Sequence, residues 1–368
     1  MFRKSLALVT IVLLMFALVL TACGKTETKP APAPSTQPAA SGSGSAGAVT
    51  PLNPPVTVKV AFDNAPSEAG IILGDKLGYF NDLGIKIDYV KFNSGADELA
   101  AIASGKVDIS RGIINAGLFN AVAQGIDIKL VADGGHNVPG KSYFELALKK
   151  GLGARVKDYK DLKGLKIAIA STGSINQLML EKALVKGGLT SKDVKLVVVD
   201  SFPDMLTAVA NGSADATMQI EPLITKGVDQ SILEFWKDAS EYAPDEEVSV
   251  LMYSPQFSKK TDVASRFMVA YLKGVRAYND ALVQGHKDRD KIINILTKTT
   301  FVDDPKIFEK MNPPGLDPDG TVVKTGVVSD QDWYAAQGLV KKKVDVDKMI
   351  DNSFVQFALK AIGKYQKP

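Results

Sequence analysis

The sequence predicts an α/β fold: two similar lobes, a central ligand cleft between them, and two hinge crossings. Three observations lead there. A strand, a hydroxyl-rich loop and a helix follow one another between Lys166 and Gly188. The pattern of one half of the chain returns in the other. Two apolar stretches, Tyr143 to Leu148 and Val248 to Tyr253, stand where the chain would pass between the halves.

Ile167, Ala168, Ile169 and Ala170 form a short apolar run of the kind that makes a buried parallel strand. Ser171, Thr172, Gly173 and Ser174 follow, all small and three of them hydroxyl-bearing. Ile175, Met179 and Ala183 then recur every fourth residue, with Leu180 and Leu184 widening the same face, so a helix is expected. Gly187 and Gly188 end it, because glycine accepts the left-handed conformation that closes a helix. This order places free backbone N–H groups and the positive end of a helix dipole at the carboxyl edge of a sheet. A polar or anionic ligand group can be held there without a charged side chain. Helix capping alone is the plainer reason for Ser and Thr at such a place.

The repeat is carried by Leu99, Ala101, Ile102, Ala103, Gly105 and Asp108. They reappear at one constant separation as Leu206, Ala208, Val209, Ala210, Gly212 and Asp215. Ser94 and Ser201 keep that separation just upstream, after the apolar runs Ile87 to Phe92 and Leu196 to Val199. Ala61-Phe62 corresponds to Ala168-Ile169. Each half reads strand, polar loop, helix, strand, loop, helix, Gly turn, strand. Such alternation implies a parallel sheet with right-handed crossovers and ligand-facing loops at the strand carboxyl ends. Alanine-rich helices before Gly turns can look alike by chance, but the preserved Gly and Asp spacing favours duplication.

The loops at those edges supply the candidate ligand contacts. In the first lobe they are Asp63, Asn64, Asn93, Ser94, Gly95 and Asn115; in the second, Ser171, Thr172, Gly173, Ser174, Phe202 and Glu221. Glu221 is the one acid placed to accept from a ligand N–H. It is equally suited as a helix N-terminal acid ahead of Pro222. The two apolar passages make a hinge that lets the lobes close, or else are plain core strands. Beyond Tyr253 the pattern is helical: Thr261 and Asp262 cap a helix through Phe267, Tyr271, Val275 and Tyr278. Ser329 with Asp332 resembles a capping box, and Asn352 to Ile362 a final amphipathic helix. Asp317 to Gly320 reads as a turn rather than a calcium loop.

At 368 residues, 45% hydrophobic and 23% charged, the chain is globular and long enough for two lobes. A net charge of +3 gives no sign of a nucleic-acid partner. Arg3 and Lys4 precede an apolar run, Leu6 to Leu20, too short to span a membrane comfortably, so residues 1–22 read as an export signal. The signal ends at Leu20-Thr21-Ala22-Cys23-Gly24, which resembles a bacterial lipobox; in such signals the cysteine is lipidated. Cys23 is the sole cysteine, which leaves the remainder without disulfide or thiolate chemistry. Residues 23–55 are a Pro/Ala/Ser/Gly tether with a reach on the order of 30 Å. Residues 56–145 are then the first part of lobe 1, 146–250 lobe 2, and 251–368 the return to lobe 1.

Taken together, Gly78-Tyr79-Phe80, Gly84-Ile85, Asn93-Ser94-Gly95, Gly105-Lys106-Val107-Asp108, Asp161-Leu162-Lys163-Gly164, Gly173-Ser174 and Glu221-Pro222 carry a family resemblance. The chain resembles the solute-binding lipoproteins of the nitrate/sulfonate/taurine and thiamine-pyrimidine (SsuA-like) class of ABC importers. The resemblance implies a type II periplasmic-binding-protein fold, capture of a small solute and its delivery to a membrane permease. It implies no cofactor and no chemistry on the ligand. It also implies ligand contacts at Ser171 to Ser174 and Asn93-Ser94, and less directly at Glu221. A lipid-anchored monomer outside the cytoplasm is expected. No cluster of Arg or Lys marks the cleft, Arg111 being the nearest cation, so a neutral or aromatic heterocycle against Phe62 or Phe202 competes with a small anion. A surface sensor or adhesive lipoprotein without a permease is one rival reading. A pyrimidine-synthase-like enzyme is another, for which His136 and His286 are too few residues to build a zinc site or triad.

Overall fold

The computed structural model describes residues 49–92, 95–286 and 288–368. Cys23 and the rest of the expected leader lie outside the described residues, as do Asn93 and Ser94. Among the described residues, ten strands form two five-stranded sheets. They are β1 (Val56–Phe62), β2 (Ile85–Lys91), β3 (Ile109–Ile113), β4 (Lys129–His136), β5 (Phe144–Lys149), β6 (Lys166–Ile169), β7 (Lys195–Val198), β8 (Ala216–Ile220), β9 (Leu233–Asp238) and β10 (Glu247–Tyr253). The first sheet runs β2-β1-β3-β10-β4 and the second β7-β6-β8-β5-β9, so the same order is built twice.

Neither sheet is wholly parallel, and this corrects the sequence reading. β1 pairs in parallel with β2 and β3, and β6 with β7 and β8. The next strand in each sheet, β10 or β5, runs antiparallel. These are the two apolar passages. Each arrives from the other lobe, enters its new sheet at the ligand-loop edge, and must therefore run against the strands already there. Both are core strands as well as crossings: β10 is buried along its whole length, and β5 up to its last residue.

Three helices follow the parallel strands of the first half: α1 (Ala69–Lys76), α2 (Gly95–Ser104) and α3 (Ala116–Ala123). The second half has α4 (Ile175–Lys186), α5 (Phe202–Ala210) and α6 (Leu223–Asp229) in the same places. The rest of the chain forms α7 (Thr261–Tyr278), α8 (Arg289–Thr299), α9 (Pro305–Lys310), α10 (Lys324–Ala336), α11 (Val346–Met349) and α12 (Ser353–Ile362). α7 packs on α1 so closely that a Cβ on Gly274 would stand 2.0 Å from the Gly70 carbonyl oxygen, and only glycine fits. Phe80, Phe257, Phe267 and Tyr253 fill the core beside them.

Several local expectations change. Residues 50–55, assigned to the tether, are docked: Leu52 N–H donates to the Leu83 carbonyl at 3.0 Å, and Arg266 Nε to the Thr50 carbonyl at 2.7 Å. The cap of α7 is Lys260, so Thr261 and Asp262 are its first turn, with Asp262 paired to Arg266 one turn on. Ser329 lies inside α10, which begins five residues earlier, so no capping box forms there. Of the two glycines after α4, Gly188 takes the left-handed conformation. Gly187 is needed for closeness instead, because a Cβ would sit 2.5 Å from the Tyr159 carbonyl carbon. Asp317 to Gly320 is a turn, closed by Gly320 N–H on the Asp317 carbonyl at 2.9 Å.

Candidate functional site

The carboxyl edges of the two sheets face each other. Asn115, in the loop after β3, and Ser174, in the loop after β6, form an antiparallel backbone bridge between the lobes. Both residues also cap helices. Asn115 Oδ1 accepts the Leu118 N–H at 2.9 Å, and Ser174 Oγ the Gln177 N–H at 3.4 Å. Each side chain satisfies one of the donors a helix start leaves open. Of the candidate residues, the structure brings these two together directly.

The hydroxyl loop is partly spent on itself. Ser174 Oγ donates to the Ser171 carbonyl at 2.8 Å, and Gly173 N–H donates to Gln177 Oε1 at 2.8 Å. Asn176 Oδ1 accepts the Ala170 N–H, while its Nδ2 donates to the Met218 carbonyl, so β6, the loop and β8 are locked in one arrangement. Ser171 and Thr172 are exposed and Ser174 is buried. Gly173 has φ +67 and would bring a Cβ within 3.2 Å of Leu339 Cδ1. Leu339 belongs to the segment after α10, and its carbonyl accepts from Asn120 Nδ2 on α3 at 2.8 Å. The C-terminal part of the chain therefore reaches the loop, which no local sequence signal announces.

In the first lobe Asp63 is exposed and accepts the Ala65 N–H at 2.9 Å. Asn64 is left-handed at φ 63, its carbonyl accepts the Phe301 N–H at 3.1 Å, and its Oδ1 is buried without a partner. Asn64 also lines a cavity of about 240 Å³ with Phe62, Ile72, Lys76, Tyr89, Lys91 and Thr299. Gly95 is the first residue of α2. Phe202 is half-buried and packs on Phe144, with ring centroids 5.9 Å apart. Phe62 packs on Tyr89 at 4.6 Å. Glu221 is 5% exposed. Its carboxylate accepts from Thr225 N–H at 3.0 Å, Thr225 hydroxyl at 2.8 Å and Asn312 N–H at 3.4 Å, with its pKa raised by burial against those bonds.

Charged groups gather at the same edge, among them Arg111 and His136, which the sequence named, and Glu98, which it did not. Arg111 is buried on β3; its guanidinium donates to the Gly134 carbonyl at 3.1 Å and the Tyr143 hydroxyl at 2.8 Å. Burial works to lower its pKa, but Tyr143, Asp63 and Glu68 outweigh that and hold it up. Burial pushes Glu98 up to about 7 although Ser110 Oγ donates to it. His136 stays above its ordinary value despite burial, through the hydrogen bond and charge of Asp133 at 3.1 Å. Among the described residues, no group of three or more His, Cys, Asp or Glu side chains is arranged to hold a metal ion.

On the return crossing, Glu246 is 2% exposed and meets the ammonium of Lys182, which projects from α4 in the other lobe. Asp330 on α10 lies against Glu246, and Glu247 against Asp133, each pair with one acid well above the usual carboxylate range through burial. On the far side α9 meets lobe 2 through the Lys310–Asp229 ion pair and the Asn312–Glu221 contact.

The family model described as NMT1/THI5 like matches residues 65–281. The chain is 26% identical over 299 residues to a Bacillus subtilis (strain 168) protein named "Putative aliphatic sulfonates-binding protein", covering 78% of this chain and 84% of that one. It is 25% identical over 166 residues to the Schizosaccharomyces pombe (strain 972 / ATCC 24843) 4-amino-5-hydroxymethyl-2-methylpyrimidine phosphate synthase, 45% of each. Among solved structures, the periplasmic aliphatic sulphonate binding protein SsuA from Escherichia coli superposes with a TM-score of 0.65 at 21% identity, over 81% of this chain and 92% of that one. The shared fold is that of the periplasmic binding proteins.

Proposed function

The chain belongs to the NMT1/THI5-like family, and from that premise we propose that it is the extracytoplasmic solute-binding component of an ABC importer. It captures a small organic or anionic solute, such as a sulfonate, nitrate, a pyrimidine-type or an aromatic compound, by lobe closure and delivers it to a permease. The observation that carries this is the Asn115–Ser174 bridge, which joins the ligand-loop edges of two equivalent sheets. A cleft closed by two short loops traps a small molecule and leaves both outer faces free for a permease.

The ligand-binding set in this reading is Asp63, Asn64, Asn93, Ser94, Gly95 and Asn115 from one side, and Ser171 to Ser174, Phe202 and Glu221 from the other. The crossings at the starts of β5 and β10 act as the hinge. The same reading makes the chain a binding protein and not an enzyme. Supporting this, the sulfonates-binding relative is covered over 84% of its length and the pyrimidine phosphate synthase over 45%. It also makes Cys23 the lipidated anchor and the protein a monomer on the outer face of the cytoplasmic membrane.

A thermal-shift screen of sulfonates, nitrate, pyrimidines, flavins and aromatic acids tests it. A solute at a hundredfold excess over its dissociation constant stabilises the closed form by about 2.7 kcal/mol. A panel in which nothing shifts the transition refutes capture of these solutes. Co-purification of a permease separates an importer component from a free-standing sensor.

A further inference from the structure

The loop between β1 and α1 holds three buried side-chain atoms, Asn64 Oδ1, Ser67 Oγ and Glu68 Oε2, without a hydrogen-bond partner among the described residues. It lies at the cleft edge, because β1 is the sheet neighbour of β3, and Asn115 in the loop after β3 bridges the lobes. Glu68 is 2% exposed, and a carboxyl oxygen so placed normally has a partner. The charged and titratable groups around it are Asp63 in its own loop, Glu98 from α2, Arg111 from β3 and Tyr89 from β2. Three carboxyls thus stand against one guanidinium. Arg111 donates to a carbonyl and a phenol, and among the described residues no carboxylate lies within ion-pair distance of it.

On the solute-binding reading, we propose that this side of the cleft accepts a ligand carrying a protonated nitrogen, an amidinium or ammonium compound, with Glu68 as its principal acceptor. Such a ligand brings several N–H donors and one positive charge, which is what three open acceptors in an acid-rich wall lack. A sulfonate or nitrate brings more acceptors and a charge of the wrong sign. Burial holds Glu68 above the usual carboxylate range and Glu98 at about 7. A cation therefore binds with release of protons, and affinity rises with pH across the neutral range.

The test is calorimetric titration of the full chain with benzamidinium and, separately, with methanesulfonate, each at pH 5.5 and pH 8. Benzamidinium is expected to bind, more tightly at the higher pH. Glu68→Gln is expected to weaken it at least about tenfold, the loss of one charge-assisted hydrogen bond. The same substitution should leave the unliganded melting temperature unchanged or higher, since a neutral amide replaces a buried unpaired acid. Should Glu68→Gln not fold, Ser67→Ala is expected to weaken binding in the same direction. Binding of methanesulfonate but not benzamidinium overturns the proposal and leaves the solute-binding reading standing, as does unchanged benzamidinium affinity in Glu68→Gln. If neither probe binds, the proposal falls, and the wider solute panel decides the broader reading separately.

Discussion

Replacing Lys182 by methionine removes the cation that joins α4 of lobe 2 to the return crossing. Its ammonium meets Glu246 and lies 3.3 Å from Ser329 Oγ, while Glu246 Oε1 and both Asp330 carboxyl oxygens have no hydrogen-bond donor. Breaking a buried ion pair costs about 3–5 kcal/mol when a charge is stranded. Two facts reduce that here: the Lys182 side chain is 22% exposed, and the Asp330–Glu246 pair can keep a proton. About 2 kcal/mol at pH 8.5 and under about 1 kcal/mol at pH 5.5 is the expected loss. The sign follows from Asp330, whose folded value is raised by burial and by Glu246 and lowered by Lys182. Its contribution is complete below the unfolded carboxyl pKa and is lost as pH rises toward the folded value, over a wider span and at greater cost without the lysine. At about 2 °C per kcal/mol for a chain of this size, the melting temperature should fall by about 4 °C at pH 8.5 and by less than half of that at pH 5.5. Differential scanning fluorimetry at the two pH values measures it. Equal losses at both, or a larger loss at pH 5.5, would refute the assignment of Lys182 to this carboxyl pair.

Asp330→Asn should flatten the decline in melting temperature between pH 5.5 and 8.5, because the group that must stay protonated is gone; an unaltered pH profile counts against it. Gly173→Val places a branched side chain at φ +67 and within 3.2 Å of Leu339, so solute-induced thermal shift should vanish while unliganded stability drops by about 1–2 kcal/mol. Retained binding would remove this loop from the site. Ser174→Ala loses the α4 cap, worth about 1 kcal/mol, read as a lower urea midpoint at constant slope. Cys23→Ser should move the protein from the membrane fraction to the soluble one, and persistence in membranes would dispose of the lipid anchor.

The hydroxyl loop is legible because the strand before it, the cap within it and the helix face after it are all local. Ile167 to Ile169, the cap at Ser174 and the apolar face of α4 lie within one strand–loop–helix unit. The duplicated order was legible through the spacing of Gly105 and Asp108 against Gly212 and Asp215, and both aspartates do the same job. Asp108 Oδ2 accepts the Lys59 N–H at 3.0 Å, and Asp215 Oδ2 the Lys166 N–H at 2.9 Å. Strand direction was not legible in β5 and β10, since a strand buried on both faces shows no alternation to orient it. Lys182 with Glu246, or Leu339 under Gly173, could not be found either, because each partner comes from a distant element and neither position has a local pattern. Glu68 is the clearest such case. In sequence it is one acid near a helix start, where acids are ordinary; its burial comes from the surrounding strands and α1.

Beside the two covalent crossings and the contacts already described, α9 and the residues just after it also fasten the lobes, through Lys310 with Asp229 and Asn312 with Glu221. Unlike a peptide chain, this clasp can let go. Its ion pair is half in water, with side chains 52% and 46% exposed, and added salt weakens such pairs. The balance between open and shut forms should therefore respond to ionic strength through a contact on the lobes' rim, apart from the bridge at Asn115 and Ser174, so a neutral solute would also bind with salt-dependent affinity.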